Sequence, residues 1–322
     1  RIDYTGGGCP HILAEPQRTN LIPYSEDFTS WNQIQNTTLT PSSTTSPSGD
    51  SDGTKFLSIS TSAKVRENFS AVSGTTYTLS VYCKNIDATL IMFLGYDGVN
   101  SFTSNLTSEV NTSTWTRISL TFTAANTGSG QIQIARDLPN GESVYFWGAQ
   151  LEVGSYPTSL IPTNGEAGGV TRNQDIFTRD GIGSLINSTE GCVFGEGNFA
   201  ESNSSIYNYF VSLSDGTSNN RLEIRQSASN LQFLWRVATY QSEISTSSLD
   251  VSSNFKFALN YSAANIKFYV NGNLIGTINT PTLWSANTLN RLAFDNGTGG
   301  DRLSGKVKQL QVYDTALTDE QL

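Results

Sequence analysis

Ile266-Lys267-Phe268-Tyr269-Val270-Asn271-Gly272-Asn273-Leu274-Ile275-Gly276 is the stretch on which the fold reading turns. Apolar and polar residues alternate on both sides of Asn271-Gly272, the period-two pattern of strands that bury one face. Asn-Gly tolerates positive φ at both central positions of a type I′ turn, so the segment predicts a β-hairpin. The same alternation recurs upstream, at 191–194, 207–213, 221–224 and 231–235. It appears again in the first half, at 77–82, 116–122, 131–135 and 144–147. Many short strands separated by polar turns are the signature of sandwiches. Residues 40–54, dense in Ser, Thr, Pro, Gly and Asp, read as a long loop.

The chain of 322 residues has room for two such domains, each large enough to bury a core. Gly6-Gly7-Gly8-Cys9-Pro10 breaks regular structure, so residues 1–19 are expected to be irregular. A first sandwich is expected over 20–163. Asn164-Gly165 and Gly168-Gly169 mark a linker over 164–190, and a second sandwich follows over 191–322. The fold class is therefore all-β: two consecutive antiparallel β-sandwich (jelly-roll) domains. Thr318-Asp319-Glu320-Gln321 reads as a capping box opening a short C-terminal helix.

Charged residues make up 15% of the chain, aromatic residues 11%, and the net charge is −9. An acidic surface repels phosphate backbones and anionic lipids, so neither nucleic acid nor a membrane is expected as a partner. No apolar run approaches the roughly 20 residues that span a bilayer. The chain opens at Arg1-Ile2-Asp3-Tyr4 without an initiator Met, and further sequence upstream is expected. Cys9, Cys83 and Cys192 are widely spaced and odd in number, which suits inert free thiols rather than a disulfide framework.

Two longer motifs go beyond alternation. Residues 15–31, Glu15-Pro16-Gln17-Arg18-Thr19-Asn20 through Trp31, resemble the opening of a module common in phage tail and virion structural proteins. Residues 146–163, which include Gly148-Ala149-Gln150-Leu151-Glu152, resemble its closing strand, and Val170-Thr171-Arg172 matches what often follows. The region between is similar to galactose-binding-like jelly rolls, a shape shared by carbohydrate-binding modules. In the second half, Phe268-Tyr269-Val270-Asn271-Gly272 and the terminal residues 305–320 resemble the laminin-G-like or concanavalin-like jelly roll. These resemblances imply two sandwiches in a virion setting and, by analogy, a glycan ligand. The implied role is host-surface recognition by a phage tail fibre or virion appendage, as a homotrimer bound to other tail proteins. The alternatives are a purely structural virion module, or a secreted bacterial carbohydrate-binding adhesin placed outside the cell or on its surface.

Catalysis is not expected. His11 is the only histidine, and its nearest nucleophile is Cys9. The Glu-x-Asp-x-x-Glu pattern of concanavalin-like glucanases is absent, and Glu223 and Glu243 stand apart in sequence. Sugar binding needs an aromatic face bordered by groups that satisfy hydroxyls. Trp284, in a turn-rich stretch and expected to be exposed, and Tyr240 beside Gln241 are the first candidates. Tyr96 beside Asp97, and Trp235 in a strand, follow. Trp31, Trp115 and Trp147 are expected to be structural. Asp295, Asn296 and Asp301 around a glycine-rich turn are candidates for a structural calcium ion, and Glu152 with Asp27 form a second, weaker oxygen pair.

Overall fold

Alternation becomes antiparallel pairing throughout, and the decisive hairpin forms as read. Asn271 and Gly272 take φ of 50° and 78° and join strands Asn265–Val270 and Asn273–Asn279. The computed structural model describes residues 2–3, 10–202, 204–247 and 249–321. Cys9 and the Gly6-Gly7-Gly8 cluster lie outside the described residues.

Two compact units divide the chain, and their boundaries differ from those read in the sequence. One comprises residues 1–16 with 174–322, and the other residues 17–173. The sandwiches are therefore not consecutive: the 17–173 unit interrupts the sequence of the other. The stretches 1–19, expected to be irregular, and 164–190, expected to be a linker, both contain strands. His11–Ala14 pairs with Gly305–Tyr313, and Thr178–Asp180 pairs with Arg291–Ala293. Val170–Arg172 pairs with Arg18–Asn20. These strands are three or four residues long, too short to display a period, and their partners lie far away in sequence.

The discontinuous unit is a sandwich of seven and six strands. Its seven-stranded sheet runs, edge to edge, Ile2–Asp3, His11–Ala14, Gly305–Tyr313, Gly191–Phe199, Phe255–Tyr261, Asn265–Val270 and Asn273–Asn279. The six-stranded sheet runs Thr178–Asp180, Arg291–Ala293, Ser204–Ser214, Arg221–Ala228, Asn230–Val237 and Thr239–Ser245. Val193, Phe199, Phe257 and Leu259 from the first sheet share a core with Leu213, Leu222, Ile224 and Phe233 from the second. Each fully buried side chain of this kind contributes roughly 1.5–3 kcal/mol. In place of the expected C-terminal helix there is a turn at 319–321. The capping bond is made all the same, Thr318 N–H donating to Gln321 Oε1 at 2.9 Å.

The 17–173 unit is built from two five-stranded sheets and the short Arg18–Asn20/Val170–Arg172 pair. One sheet runs Thr116–Thr123, Thr76–Asn85, Ser143–Val153, Gly53–Ser58 and Thr37–Thr44. The other runs Ser101–Asn105, Met92–Tyr96, Gly128–Ile134, Lys64–Ala71 and Gln33–Gln35. Gly95 must be glycine, because a Cβ there would meet the Phe122 ring at 2.5 Å. The expected loop over 40–54 is shorter than read. Thr37–Thr44 is an edge strand whose register shifts after Thr40, next to Pro41, which has no N–H to give the ladder.

The opening and closing motifs of this unit meet in one buried polar network. The Asn20 carboxamide donates to Ala149 O (3.2 Å) and Ile161 O (2.9 Å) and accepts from Ile22 N (3.1 Å) and Leu151 N (3.1 Å). Gln150 Nε2 donates to Glu152 Oε1 (2.7 Å), and Gln150 Oε1 accepts from Ile161 N (2.7 Å). Thr158 donates both its N–H and its hydroxyl to Glu152 at 2.7 Å. The ladder of Ser143–Val153 shifts register between Trp147 and Gln150. Asn20 supplies the hydrogen bonds that the interrupted ladder cannot.

Candidate functional site

Strand Arg221–Ala228 sets the site by simple alternation. Leu222 and Ile224 enter the core, so Arg221, Glu223 and Arg225 point to the opposite face of the six-stranded sheet. The register places Ser214, Ser212 and Tyr209 beside them on one neighbouring strand, and Arg236, Leu234 and Gln232 on the other. A bulge between Tyr209 and Val211 turns both Phe210 and Val211 inward, which leaves Tyr207 and Tyr209 on the outer face. The outermost strand adds Tyr240 and Glu243.

Arg225 is the centre of this face. Its guanidinium lies 4.0 Å over the Tyr207 ring and 5.9 Å from the Tyr209 ring centre. Its Nε donates to Gln232 Oε1 at 3.2 Å, and its terminal nitrogens sit 3.8 Å from Glu223 and 3.7 Å from Glu243. Arg236 sits 5.9 Å over the Tyr240 ring. Tyr207 and Tyr240 remain 48% and 49% exposed, so two rings, each over a guanidinium, present open surface to solvent. Stacking fixes each ring and polarises it, which suits it to lie against the C–H face of a sugar.

Glu223 is fully buried beneath this layer. Arg221 Nε lies 2.8 Å from its Oε1, yet neither oxygen has a well-formed hydrogen bond. Desolvation pushes its carboxyl up to about 6, against the pull of Arg221, Arg225 and Arg236. Burial, and then the charge of Glu223, also raise the Tyr209 phenol. A carboxyl whose folded pKa is above its unfolded value favours folding at low pH. Stability should therefore fall as pH rises from about 4.5 through about 6, by roughly 2 kcal/mol for this group alone. Urea titrations of the wild type and Glu223→Gln across that window check this. The variant should have the flatter profile, and equal slopes would refute the assignment.

The sequence candidates separate cleanly on this frame. Tyr240 is on the face. Trp235 lies on the same sheet but in the core, stacked on Phe233 at 5.5 Å with its N–H given to Thr282 O. Trp284, expected to be exposed, is only 3% exposed. It packs edge-on to Tyr261 at 6.2 Å and donates to Arg236 O at 2.6 Å. Thr282, Ser285, Ala286 and Asn287 around it stay exposed while the indole turns into the core. Trp31 and Trp147 are structural as read, whereas Trp115 is only half buried and gives its N–H to Thr45 O. Tyr96 belongs to the other unit, where its hydroxyl donates to Gly98 O at 2.7 Å.

The calcium candidates border the face but form no open cage of oxygens. Asp295 is 2% exposed and accepts from Gly297 N (2.7 Å) and Arg291 (3.0 Å). Asp301 accepts from Asn296 Nδ2 at 3.0 Å, and Asn296 Oδ1 takes three donors of its own loop. Arg221 donates to Asn296 O. Most of these oxygens thus accept from N–H or hydroxyl donors of the chain, and the Arg221 and Arg291 guanidiniums lie beside them. Asp27 likewise caps residues 28–30, and Glu152 serves the Asn20 network. Among the described residues, no group of three or more His, Cys, Asp or Glu converges as metal ligands.

Reasoning from the sequence missed Tyr207, Arg225 and Arg221, and it set Glu223 apart from Glu243. The register brings both carboxylates to Arg225. The signal was present in Arg221-Leu222-Glu223-Ile224-Arg225, where every second residue is charged. His11 lies in strand His11–Ala14 of the seven-stranded sheet, and its partner in the expected pair, Cys9, is outside the described residues.

Residues 198–322 match a family described as the concanavalin A-like lectin/glucanases superfamily. Among solved structures, the chain is similar to the carbohydrate-binding module CBM40 of the Ruminococcus gnavus IT-sialidase, at 15% identity and a TM-score of 0.37, covering 45% of this chain and 96% of that one. It is also similar to domain 4 of AbnA, an extracellular arabinanase from Geobacillus stearothermophilus solved with arabinotriose, at 12% identity and a TM-score of 0.38, covering 46% and 70%. A third is a heptameric SAP-like pentraxin from Limulus polyphemus, at 19% identity and a TM-score of 0.33, covering 42% and 69%. No curated protein matches the chain.

Proposed function

We propose that the chain recognises glycans on a host cell surface, without catalysis, through the outer face of the six-stranded sheet. The observation that carries this reading is the pair of half-exposed tyrosines, Tyr207 and Tyr240, each lying over an arginine of that face. Rings held by guanidiniums offer flat apolar surface, while Gln232 and Glu243 beside them can meet hydroxyls. Solved carbohydrate-binding domains also occur among the chain's structural neighbours. Glu223 is too deeply buried to reach a glycosidic oxygen, and both it and Glu243 are engaged with arginine, so hydrolysis is not the reading.

The resemblance of residues 15–31 and 146–163 to phage tail modules supports a phage tail appendage as the setting of this recognition, and the proposed assembly is a trimer. Antibody labelling of purified virions would locate the chain at the tail, and sedimentation would read the mass of a trimer. Absent labelling or a monomeric mass would remove those parts of the proposal.

The binding test uses an array of bacterial surface polysaccharides. Tyr207→Ala and Tyr240→Ala change exposed side chains, so the fold should survive. Each is expected to weaken binding about tenfold or more, because central aromatic contacts dominate such interfaces. Failure of every polysaccharide to bind the wild type, or equal binding by both variants, would sink the reading. Incubation with a bound polysaccharide should release no new reducing ends.

A further inference from the structure

We infer that Asn271, at the tip of the decisive hairpin, is a site of spontaneous deamidation, which the fold permits there and hinders at three like sequences. Four Asn-Gly pairs occur: Asn140-Gly141, Asn164-Gly165, Asn271-Gly272 and Asn296-Gly297. Asparagine is thermolabile, most of all before glycine, which has no side chain to shield its backbone nitrogen. That nitrogen gives its proton to hydroxide and attacks the asparagine Cγ. The Cγ–Nδ2 bond breaks, Nδ2 takes a proton from water, and ammonia leaves. Water then opens the cyclic imide at either carbonyl, giving aspartate or isoaspartate. Nothing is oxidised or reduced, and water is the only co-reactant.

The reaction consumes the glycine N–H, so any hydrogen bond that holds it must open first. Gly141 N donates to Ser58 O at 2.8 Å, and Gly165 N donates to Pro23 O at 2.7 Å. Gly297 N donates to Asp295 Oδ1 at 2.7 Å, while Asn296 gives its own Nδ2 to Asp301 at 3.0 Å. Gly272 differs: among the described residues no group accepts its N–H. Exposure does not make this distinction, because Asn140, Asn164 and Asn271 are all exposed.

The same turn activates the carbon that is attacked. Lys256 N–H donates to Asn271 Oδ1 at 2.9 Å. A backbone donor on that oxygen stabilises the negative charge that develops on it during attack, as an oxyanion hole does. Asn271 N donates in return to Lys256 O at 2.9 Å, so the residue clips the turn to strand Phe255–Tyr261. Aspartate keeps an acceptor for Lys256 N–H and tolerates the φ of 50°. Isoaspartate instead moves the side-chain methylene into the backbone, which lengthens the turn and breaks the clip. The edge strand Asn273–Asn279 is then loosened. This chemistry needs no ligand and stands apart from the glycan reading.

The test incubates the folded full chain in mildly alkaline buffer and follows each Asn-Gly pair by peptide mapping. Asn271 is expected to convert about tenfold faster than any of the other three, the factor for one hydrogen bond that need not open. In denaturant, where no N–H is held, the four rates should converge. Asn271→Asp keeps the turn and should remove the main new acidic species seen by ion exchange. Amide hydrogen exchange over residues 265–279 should be faster in the purified isoaspartate form than in Asn271→Asp. Conversion as fast at another Asn-Gly pair, none at Asn271, or the same ranking in denaturant would overturn the inference. So would an acidic species undiminished in Asn271→Asp, or equal exchange in the two forms.

Discussion

Asn20→Ala is expected to destabilise the 17–173 unit by about 4 kcal/mol, more than any surface substitution in the chain. The side chain is fully buried and serves four backbone groups: Ala149 O, Ile161 O, Ile22 N and Leu151 N. Truncation leaves all four in an environment that water does not reach readily, at about 1–3 kcal/mol each, with some recovered by relaxation. The loss falls where the Ser143–Val153 ladder is already interrupted, so no neighbouring strand can take over. Denaturant unfolding followed by the fluorescence of Trp31 and Trp147, both buried in this unit, would read the change. Asn20→Asp keeps the acceptor but sets a buried carboxylate against the carbonyls of Ala149 and Ile161, so at neutral pH it should cost at least as much. A cost below about 1 kcal/mol for Asn20→Ala would show that the network is not what joins the two motifs.

The second large effect separates two readings of one residue. Trp284→Ala is expected to cost about 3–5 kcal/mol, the range for removing a large aromatic side chain from a core. The indole packs against Tyr261 in the cluster that also holds Trp235 and Phe268. Its removal leaves a cavity and orphans the carbonyl of Arg236, whose side chain lies over Tyr240. If Trp284 were an exposed sugar platform, the same substitution would leave stability within about 0.5 kcal/mol and abolish binding. The structure requires the reverse order: a lowered unfolding midpoint, with glycan affinity of the still-folded protein changed far less than by Tyr207→Ala. Trp284→Phe, which keeps the ring bulk and loses only the N–H, should recover most of the stability.

The two motifs of the 17–173 unit show how far a resemblance reaches. Residues 15–31 and 146–163 could be recognised as the ends of one module, but not why they are the module's most distinctive parts. Asn20, Gln150 and Glu152 are buried acceptors and donors that bind each other's strands, so their chemistry is structural. Residues Asp27 and Glu152, which suggested an ion, are both engaged by donors close to them in sequence.

The proposed binding face was legible only in part. Tyr240 was singled out beside Gln241 in what reads as a loop, whereas Tyr207 and Arg225 lie inside alternating strands like many others. Which of two alternating sets faces the core depends on the partner sheet, and a bulge such as that at Tyr209/Val211 moves residues between faces. Trp284 failed for the converse reason. Thr280-Pro281-Thr282 and Ser285-Ala286-Asn287 have the composition of a surface turn, yet the chain between them drops one indole into the core.

Local chemistry by itself determined that this protein is built of antiparallel strands. Alternation at period two and the positive φ of Asn271-Gly272 act within a few residues, so the sequence displays them directly. Only the tertiary structure decided that His11–Ala14 completes a sheet with Gly305–Tyr313, and that the 17–173 unit is an insertion rather than a first domain. It alone also set Arg225 between Tyr207, Glu223 and Glu243. Those arrangements rest on hydrogen-bond register between strands that lie tens to hundreds of residues apart. Register over such distances is chosen by the packing of the whole core, which no local stretch of sequence carries.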